Sequence, residues 1–473
     1  MAKLKSGTDI RGAAVANSPE LTYDAAMRIG AGFSCWLADK NGLPITVAVG
    51  RDSRVTGENL AQGIMEGLSQ GGARVIDTGM STTPAMFEIV HHPQFNCDAA
   101  VMVTASHLPS DRNGFKFILK TGGLTGAELD EIIIQSLGDG RPRSPSAVTE
   151  RSRVDFIPFY LNKLTDIAKA SLGEHAFEGL RVVVDAGNGG GGFYAQWLRS
   201  LGADTSGSVN LEPDGTFPAH QPNPENAEAI AALAAAVTES NADVGVIFDA
   251  DCDRAALVAG DGSPINKERL IALCSAMILR SERGAYIVTD SVVSPQLTSF
   301  IERHGGHHRR WKRGYKNVIT EAQRLIEEGK NCGLAIETSG HAALRGNRLL
   351  DDGMYLATLL LIEAAAAKRN GGSILSLVSD LRLPEAEAET RVKIDSKERR
   401  LAVLEEVYAF MKDNADYSVS INEPEGVRCD RADGKAWFLL RASLHDPLLV
   451  LNIKAETNAH IEAIKEMLNK YLC

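Results

Sequence analysis

Six short and almost continuously apolar segments recur along the 473-residue chain, and they limit its fold more than any other feature. They are ITVAVG (45–50), DAAVMVTA (98–105), LRVVVDAG (180–187), VGVIFDA (244–250), AYIVTDS (285–291) and CGLAIETS (332–339). Runs of this kind are typical of β-strands that helices cover on both faces. The segments between them carry helical patterns, of which ENAEAIAALAAAVTES (225–240) is the clearest. The chain is therefore predicted to have an α/β fold.

The length of the chain and its polar stretches predict several domains. A single hydrophobic core rarely serves more than about 250–300 residues, so this length indicates three or four domains. Boundaries are expected in or near three polar stretches, GDGRPRSPSA (138–147), AGDGSP (259–264) and RLPEAEAE (382–389). Near the end, AWFLLRAS (436–443) and PLLVLNIKAE (447–456) predict paired strands, followed by a helix from Asn458 to Tyr471. The last segment is therefore predicted to be a small α+β domain.

The charge balance argues against polyanionic partners. The formal net charge is −11 at pH 7, so the chain lacks a global basic field that would attract nucleic acid or anionic lipid. Any anionic ligand must therefore be bound by local clusters of arginine and lysine.

Cysteine spacing and hydropathy indicate a soluble protein of a reducing compartment. Seven cysteines, an odd number without a CxxC pair, argue against a disulfide framework or a zinc site. The longest apolar stretch, Tyr355 to Ala367, is interrupted by Glu363 and is too short to cross a bilayer. A cytoplasmic location is expected, with a plastid or other organelle stroma as the alternative if a transit peptide has been removed.

Three of the predicted strands end in an unusual polar loop. These loops are TASH (104–107), DADCDR (249–254) and ETSGH (337–341). Their spacing suggests one such loop in each of three domains, at the end of a strand where α/β folds bind ligands.

The loop DADCDR places Asp249, Asp251 and Asp253 at alternating positions behind a buried strand. A calcium-binding EF-hand would require glycine at the sixth position and glutamate at the twelfth, but Arg254 and Gly260 stand there. A solvated acidic turn is the simplest alternative. A bound Mg²⁺ would relieve the repulsion between the carboxylates and prefers an all-oxygen ligand set. The loop is therefore a candidate magnesium site, with Arg254 as a candidate ligand for a substrate phosphate.

The loop that follows the second strand offers Ser106, His107 and Lys116. The chain has no GxSxG elbow, so a hydrolase triad is not indicated. A lone serine is more often a cap or a turn residue. Beside a magnesium loop, however, Ser106 becomes a candidate phosphoryl carrier.

The glycine-rich segment AGNGGGGF (186–193) has two interpretations. Gly187, Gly189 and Gly192 match GxGxxG after a strand, and Glu212 follows at a tolerable distance for a dinucleotide site. The run is so dense in glycine that a chance match is easy, and the other loops suggest phosphate and metal chemistry. A tight strand-to-helix turn is favoured, and NAD binding remains the alternative.

Taken together, these motifs resemble those of the α-D-phosphohexomutase family, and most of all its phosphomannomutase/phosphoglucomutase members. The resemblance covers nearly the whole chain in the family's order. The matching segments are GTDIRG (7–12), GRDSR (50–54), TASH (104–107), NGFK (113–116), DGTFPAHQPNPE (214–225), DADCDR (249–254), WKRGYK (311–316), ETSGH (337–341), DDG (351–353) and RASLHDPLLVLNIKAE (441–456).

The resemblance implies a four-domain, heart-shaped architecture of three similar α/β domains with mixed sheets and a smaller C-terminal α+β domain. It assigns residues 1–150 to domain I with the catalytic serine loop and 151–260 to domain II with the metal loop. Residues 261–382 would form domain III with the sugar-binding loop, and 383–473 domain IV with the phosphate-binding loop.

The resemblance also implies a phosphorylated Ser106 that ligates Mg²⁺ together with Asp249, Asp251 and Asp253. Arg11, His107, Lys116 and His341 match positions that line the family's reaction centre. Among these, His341 and Lys116 are expected to handle protons, with the pKa of Lys116 lowered by Arg11 and the metal. A simple phosphate clamp is the alternative role for both.

Substrate contacts are implied in the later domains. Glu337 and Ser339 match residues that bind sugar hydroxyls, and Lys312 and Arg254 match further ligand positions. Arg441 and Ser443 match the opening of the family's distal-phosphate loop. The usual Asn-Thr-Glu continuation is replaced by Leu444, His445 and Asp446, with His445 as a candidate phosphate ligand.

The implied activity is a phosphohexomutase that interconverts hexose 1-phosphate and hexose 6-phosphate of glucose, mannose or both. The reaction would pass through phosphoserine and a bisphosphorylated sugar, with Mg²⁺ and an activator such as glucose 1,6-bisphosphate. Phosphoglucosamine mutase or phosphopentomutase activity, or a non-catalytic sugar-phosphate-binding homologue, are the alternatives. Small sugar phosphates are the expected partners, without nucleic acid or membrane, and the chain is expected to be a monomer or homodimer.

Overall fold

The computed structural model describes residues 2–138, 150–420, 425–443 and 447–472. Its strands are β1 (Lys5–Ser6), β2 (Asp9–Ala13), β3 (Thr46–Arg51), β4 (Arg74–Met80), β5 (Ala99–Val103), β6 (Arg112–Leu119), β7 (Gly122–Gly123), β8 (Arg151–Arg153), β9 (Val182–Asp185), β10 (Val244–Phe248), β11 (Ala255–Ala259), β12 (Pro264–Ile265), β13 (Tyr286–Thr289), β14 (His307–Arg310), β15 (Cys332–Ile336), β16 (Ala342–Leu344), β17 (Leu350–Asp351), β18 (Ala386–Lys393), β19 (Tyr417–Val419), β20 (Val427–Arg431), β21 (Ala436–Ala442) and β22 (Leu448–Ala455). Its α-helices are α1 (Tyr23–Asn41), α2 (Gly57–Gln70), α3 (Thr83–His91), α4 (Gly126–Ser136), α5 (Ile157–Leu172), α6 (Phe193–Ser200), α7 (Ala227–Glu239), α8 (Lys267–Ser281), α9 (Pro295–Arg303), α10 (Tyr315–Glu327), α11 (Gly353–Arg369), α12 (Lys397–Met411) and α13 (Asn458–Leu472).

The chain divides into two compact units. The first contains Met1–Asn266, Ser339–Ala342 and Leu350–Ile374. The second contains Lys267–Thr338, Ala343–Leu349 and Leu375–Cys473. Each unit contains more than one sheet, so each is built from several packed layers of secondary structure.

The first sheet of the first unit has the strand order β1–β2–β6–β5–β3–β4–β8, with β7 beside β6. It is mixed, because β3 is parallel to β4 and β5 while β5 and β6 are antiparallel. One face is buried by α1, α2 and α4, whose apolar side chains share a core with those of the strands. Helix α3 packs against the same central strands and carries Thr83 at its first residue.

The second sheet of the first unit has the order β12–β11–β10–β9. Neighbouring residues of β10 contact different helices, because side chains alternate between the two faces of a strand. Ile247 belongs to the core formed with α7, whereas the ring of Phe248 lies 5.1 Å from that of Tyr194 on α6. The strand is thus covered on both faces, which explains its uninterrupted apolar sequence.

The glycine-rich segment at 186–193 is a tight turn that packs against neighbouring backbone. A Cβ atom at Gly189 would lie 2.7 Å from the Cα of Ala250, and one at Gly192 would lie 1.9 Å from the carbonyl oxygen of Leu211. The glycines therefore permit close approach to the loop that carries the three aspartates. The structure favours the turn interpretation of this segment.

The second unit contains a sheet in which β13 lies between β14 and β15, parallel to both. It also contains the antiparallel sheet β18–β22–β21–β20–β19, whose buried face shares a core with α12 and α13. The other face of β21 places Trp437 and Leu439 against Val292. The ammonium of Lys454 donates to Glu268 at 2.5 Å, which adds a polar contact between the two layers.

The predicted secondary structure is largely confirmed. Each of the six apolar segments contains a strand, and the predicted helix at 225–240 is α7, capped by the side chain of Asn226. The predicted paired strands are β21 and β22, which are antiparallel, and α13 follows them. Three sheets that pack with helices, mixed sheets among them, and a small antiparallel sheet with two helices confirm the expected fold class. Most of the polar stretch at 138–147 lies outside the described residues.

Two further expectations concern the cysteines and the membrane. The cysteines within the described ranges are all free thiols, at 35, 97, 252, 274, 332 and 429. In the same part of the chain, the helices are all too short or too polar to cross a bilayer.

Helices α1 and α2 approach each other through glycine. A Cβ atom at Gly67 would lie 1.9 Å from the carbonyl oxygen of Met27, well inside contact distance. We expect Gly67→Ala to lower the free energy of unfolding by about 1–3 kcal/mol or more, because the helices must separate to admit the methyl group. Gly126→Ala is the matched control, since its nearest neighbour would be the Lys5 ammonium at 3.7 Å. Urea denaturation of both variants measures the difference, and equal stability of the two would contradict the close packing.

Candidate active site

The three aspartates lie in the short connection between β10 and β11. Phe248 and Ala255 are paired across these antiparallel strands, so residues 249–254 form a tight loop at the strand ends. Asp249 and Asp251 have no exposed surface, and Asp253 is 2% exposed. One oxygen of each lies within 4.8 Å of the others, so the carboxylates converge as the sequence predicts.

Ser106 reaches this carboxylate cluster from the loop after β5. Its hydroxyl donates to Asp249 Oδ2 at 2.7 Å. The residue is fully buried and has a left-handed backbone with φ of 53°, which is uncommon for a residue with a side chain. The candidate phosphoryl carrier and the candidate metal ligands therefore form one site, although 143 positions separate Ser106 from Asp249.

Lys116 compensates the negative charge of the cluster. It lies on β6 opposite Met102 of β5, and its ammonium donates to Asp251 Oδ2 at 2.7 Å and also to Asp253. Thr83 at the start of α3 adds a hydrogen bond to Asp251 Oδ2 at 2.5 Å. Buried carboxylates require such partners, because an unpaired charge in the interior is costly.

The pKa values of the cluster follow from burial and from these contacts. Burial, with Asp253 and Asp251 adding to it, raises the pKa of Asp249 well above its usual value. Burial also opposes ionisation of Asp253, but Lys116 and His341 hold its pKa below the usual range.

The pKa of Lys116 corrects an expectation from the sequence. Burial opposes its charge, but Asp251 and Asp253 outweigh burial and raise its pKa well above the ordinary value. The net lowering of the Lys116 pKa that was expected from Arg11 and the metal is therefore not seen among the protein's own groups. Arg11 does act in that direction, but it is outweighed because the two carboxylates are in direct contact with the ammonium.

His341 lies on the other side of the metal loop. Arg254 Nε donates to His341 Nε2 at 2.8 Å, so Nε2 is an acceptor and the ring proton is assigned to Nδ1. Nδ1 lies beside Asp351 Oδ2 and 3.8 Å from Asp253 Oδ1. Arg254 therefore orients His341 in this conformation. The Nε of Arg254 also lies 3.6 Å from Asp249 Oδ2.

Arg11 and His107 flank Ser106. Arg11 donates to Asp9 at 3.0 Å and to the carbonyl oxygen of Ala105 at 3.3 Å. His107 Nδ1 lies 3.4 Å from Ser106 Oγ. Burial, Arg254 and Arg11 lower the pKa of His107 well below its usual range, so its imidazole is neutral.

The remaining predicted ligands belong mainly to the second unit. Glu337 follows β15 and accepts a hydrogen bond from Gly314 N at 2.6 Å, which orders the loop that also carries the exposed Lys312. Arg441 on β21 is 5% exposed, and its Nε lies 3.7 Å from Glu425. Burial and the Arg313 guanidinium lower the pKa of Arg441.

Three further predicted ligands are Ser443, His445 and Ser339. Ser443 follows β21, and its N–H donates to the carbonyl oxygen of Leu448 at 2.9 Å. His445, with Leu444 and Asp446, lies outside the described residues. Ser339 belongs to the first unit, and within the described ranges its buried Oγ has no hydrogen-bond partner.

Sequence reasoning missed several residues of the site. Thr83 contacts the metal loop from 168 positions away and carries no local signature. Asp351 lies beside His341 Nδ1, and the motif DDG (351–353) was the only sequence feature that pointed to Asp351. Asp290 accepts from the Thr338 hydroxyl at 2.6 Å and thereby orders the loop after β15.

The carboxylate cluster fits a hard divalent cation. Asp249, Asp251, Asp253 and Ser106 supply only oxygen atoms, which Mg²⁺ prefers. Among the described residues, Asp251 Oδ1 and Asp253 Oδ1 are buried without a hydrogen-bond partner. Buried and unsatisfied carboxylate oxygens are costly, so a cation at this position would stabilise them.

The chain combines a buried serine, a cluster of buried carboxylates and several α/β sheets. This combination is the basis for comparing it with known proteins. Family models for phosphoglucomutase/phosphomannomutase α/β/α domains I, II and III match residues 3–143, 158–262 and 266–382. They occur in the order that the motifs predict.

The chain belongs to the phosphoglucomutase/phosphomannomutase family, which confirms the resemblance inferred from its motifs. It is 33% identical over 432 residues to phosphomannomutase/phosphoglucomutase of Pseudomonas aeruginosa, covering 90% of this chain and 87% of the relative. It is 31% identical to phosphoglucomutase of Neisseria gonorrhoeae over 97% of this chain and 94% of that protein. The crystal structure of a phosphoglucomutase/phosphomannomutase family protein from Burkholderia thailandensis matches with a TM-score of 0.84 and 27% identity, covering 100% and 97% of the two chains.

Removing Lys116 tests the charge compensation. We expect Lys116→Met to lower the free energy of unfolding by about 3–5 kcal/mol in EDTA, because two buried carboxylates lose their cationic partner. Added Mg²⁺ should restore much of the loss, and the Mg²⁺-dependent shift in melting temperature should exceed that of wild type.

The matched control is Lys169→Met, which breaks the exposed ion pair with Glu174. Such exposed pairs contribute little, so its melting temperature should hardly change. A Lys116→Met protein that is as stable as wild type in EDTA would show that Lys116 does not compensate the cluster.

Proposed function

We propose that this chain interconverts hexose 1-phosphates and hexose 6-phosphates, with phosphates of glucose, mannose or both as substrates and Ser106 as the phosphoryl carrier. The observation that carries the proposal is the 2.7 Å hydrogen bond between Ser106 Oγ and Asp249 in a carboxylate cluster suited to a divalent cation. The similarity to phosphomannomutase/phosphoglucomutase of Pseudomonas aeruginosa and phosphoglucomutase of Neisseria gonorrhoeae supports the same activity.

In the proposed reaction, phosphorylated Ser106 donates its phosphoryl group to the free hydroxyl of the bound sugar phosphate. The P–O bond to serine breaks, a P–O bond to the sugar forms, and a base takes the hydroxyl proton. The bisphosphorylated sugar then turns round, and Ser106 recovers a phosphoryl group from the other end of the sugar. The serine oxygen takes up a proton as it leaves in the first half-reaction and loses it when it attacks the bisphosphorylated sugar in the second, where the departing sugar oxygen takes up a proton.

Four residues would hold the cation. Ser106, Asp249, Asp251 and Asp253 are the proposed Mg²⁺ ligands, and bound Mg²⁺ would offset negative charge on the transferred phosphoryl group. A bisphosphate activator of the glucose 1,6-bisphosphate type would restore phosphorylation of Ser106 when the intermediate escapes.

His341 is the proposed base. Its unprotonated Nε2 accepts from Arg254 in this conformation and would take the sugar proton once Arg254 turns to the substrate's phosphate. Asp351 beside Nδ1 would then stabilise the imidazolium. The raised pKa of Lys116 keeps it protonated, so its proposed role is electrostatic, with proton donation as the lesser role. Arg11 and His107 are proposed to line the phosphoryl group beside Ser106.

Substrate recognition is proposed for the remaining residues. Glu337 and Ser339 would bind sugar hydroxyls, and Arg254 and Lys312 would contact the substrate's phosphate and ring. Arg441, Ser443 and His445 would bind the distal phosphate. These roles accompany the proposed division into domains at 1–150, 151–260, 261–382 and 383–473.

We further propose a cytoplasmic monomer or homodimer that acts on small sugar phosphates. The free thiols of the described cysteines support a reducing compartment.

A coupled assay tests the proposed function. With Mg²⁺ and a trace of glucose 1,6-bisphosphate, the protein should convert glucose 1-phosphate to glucose 6-phosphate, and EDTA should stop the reaction. Ser106→Ala should reduce turnover to the background of the assay, because the substitution removes the proposed phosphoryl carrier. Ser110→Ala, in the same loop, is the matched control and should remain close to wild type.

The same assay on mannose, glucosamine and pentose 1-phosphates ranks the substrates. Binding of these compounds without turnover, by a folded protein whose Ser106 is shown by mass spectrometry to be phosphorylated, would refute the mutase and indicate a sugar-phosphate sensor.

A further inference from the structure

A closed ring of hydrogen bonds surrounds both peptide groups of Ser106. Its backbone N–H donates to Thr104 Oγ1 at 2.8 Å, and the Thr104 hydroxyl donates to Asp52 Oδ2 at 2.6 Å. Arg54 Nε donates to the same Asp52 oxygen at 3.2 Å. Arg54 Nη2 donates to the carbonyl oxygen of Ser106 at 2.6 Å, which completes the ring. We call Asp52, Arg54 and Thr104 the serine clamp.

Arg54 also organises the rest of the serine loop. Its Nη2 donates to the Leu108 carbonyl at 2.6 Å, and its Nη1 donates to the carbonyls of Pro109 at 2.6 Å and Arg112 at 2.9 Å. With the bonds to Asp52 and Ser106, one planar guanidinium fixes four backbone carbonyls of residues 106–112 and one carboxylate. An arginine has five N–H donors in a rigid fork, and a lysine cannot reproduce this pattern.

The clamp is sealed from water. Asp52 has no exposed surface, and Arg54 and Thr104 are each 1% exposed. The ring of Phe217 lies 5.1 Å from the Arg54 guanidinium. The polar atoms of the clamp therefore depend on one another, because solvent cannot replace a lost partner.

The clamp fixes the direction of the Ser106 side chain. The Cα–Cβ direction of a residue follows from its φ and ψ, and the left-handed φ of 53° is disfavoured for residues other than glycine. Holding the N–H on one side and the C=O on the other keeps Ser106 in this conformation. In that conformation Oγ lies 2.7 Å from Asp249 Oδ2.

We propose that Asp52, Arg54 and Thr104 are positioning residues for phosphoryl transfer, which hold the Ser106 oxygen at the carboxylate cluster without contacting the substrate. This inference rests on the proposed function, because positioning matters only if Ser106 carries a phosphoryl group. Transfer requires the reacting atoms in line at roughly 3–3.5 Å, and a displacement of about 1 Å can reduce the rate about 100-fold.

Thr104→Val and Thr104→Ser form a matched pair for the test. Valine has nearly the shape of threonine but can neither accept from Ser106 N nor donate to Asp52, whereas serine keeps both bonds. We expect Thr104→Val to lower kcat for glucose 1-phosphate about 10- to 100-fold with KM nearly unchanged, since the clamp does not touch substrate. Thr104→Ser should restore kcat to near the wild-type value.

Two further measurements report on Ser106 itself. Amide hydrogen exchange at Ser106 should speed up in Thr104→Val and remain slow in Thr104→Ser. The ³¹P resonance of phosphorylated Ser106 should shift in Thr104→Val, because the phosphoryl group leaves its ordered position. Circular dichroism confirms that each variant is folded, and Arg54→Lys, which keeps the charge but loses the fork, provides an independent variant with the same expected direction.

The outcomes separate the alternatives. A folded Thr104→Val enzyme with wild-type kcat and an unchanged ³¹P resonance would overturn the clamp. Equal losses of kcat in Thr104→Ser and Thr104→Val would also overturn the proposal, because the loss would then not depend on the Thr104 hydroxyl. If wild type has no mutase activity, the proposed function fails, and with it the role of the clamp in transfer. Ser106 amide exchange would then show separately whether the hydrogen-bond ring exists.

Discussion

The burial of three aspartates in one short loop is the constraint on which the rest of the site depends. Carboxylates this close repel one another, and removal from water adds to the cost. The first unit supplies compensation from several elements, with Lys116 on β6, Thr83 on α3 and Arg254 just before β11. The first two sheets must therefore meet at this point, and Gly190, whose Cβ would lie 2.9 Å from the carbonyl oxygen of Ser81 after β4, permits the approach.

The sequence was sufficient to predict the elements and the motifs of the site, because both have local signatures. Apolar runs predict buried strands. The three alternating aspartates after β10 can likewise be recognised without knowledge of distant residues. Partners from distant parts of the chain could not be predicted in this way. Thr83 and Asp351 carry no signature of their contacts with Asp251 and His341, which the topology alone brings together.

Electrostatic roles were the least predictable part of the site. Lys116 was expected to respond to Arg11, but direct contact with two carboxylates determines its pKa. The difference arises because interaction energies fall steeply with distance, and residue order does not give distances. The contact of Arg254 with His341 Nε2 could not be predicted from residue order for the same reason.

Two separate networks of hydrogen bonds position the side-chain oxygen of Ser106. The serine clamp fixes the backbone of Ser106 through Thr104 and Arg54, whereas Asp249 fixes its side-chain oxygen. The charges of the clamp compensate each other, since Asp52 and Arg54 form a buried ion pair. A phosphoryl group on Ser106 would therefore meet the charge of Lys116 and a bound cation without competing with the groups that hold the backbone. In the proposed reaction, this pairing within the clamp would allow Ser106 to gain and lose a phosphoryl group while its loop stays in one conformation.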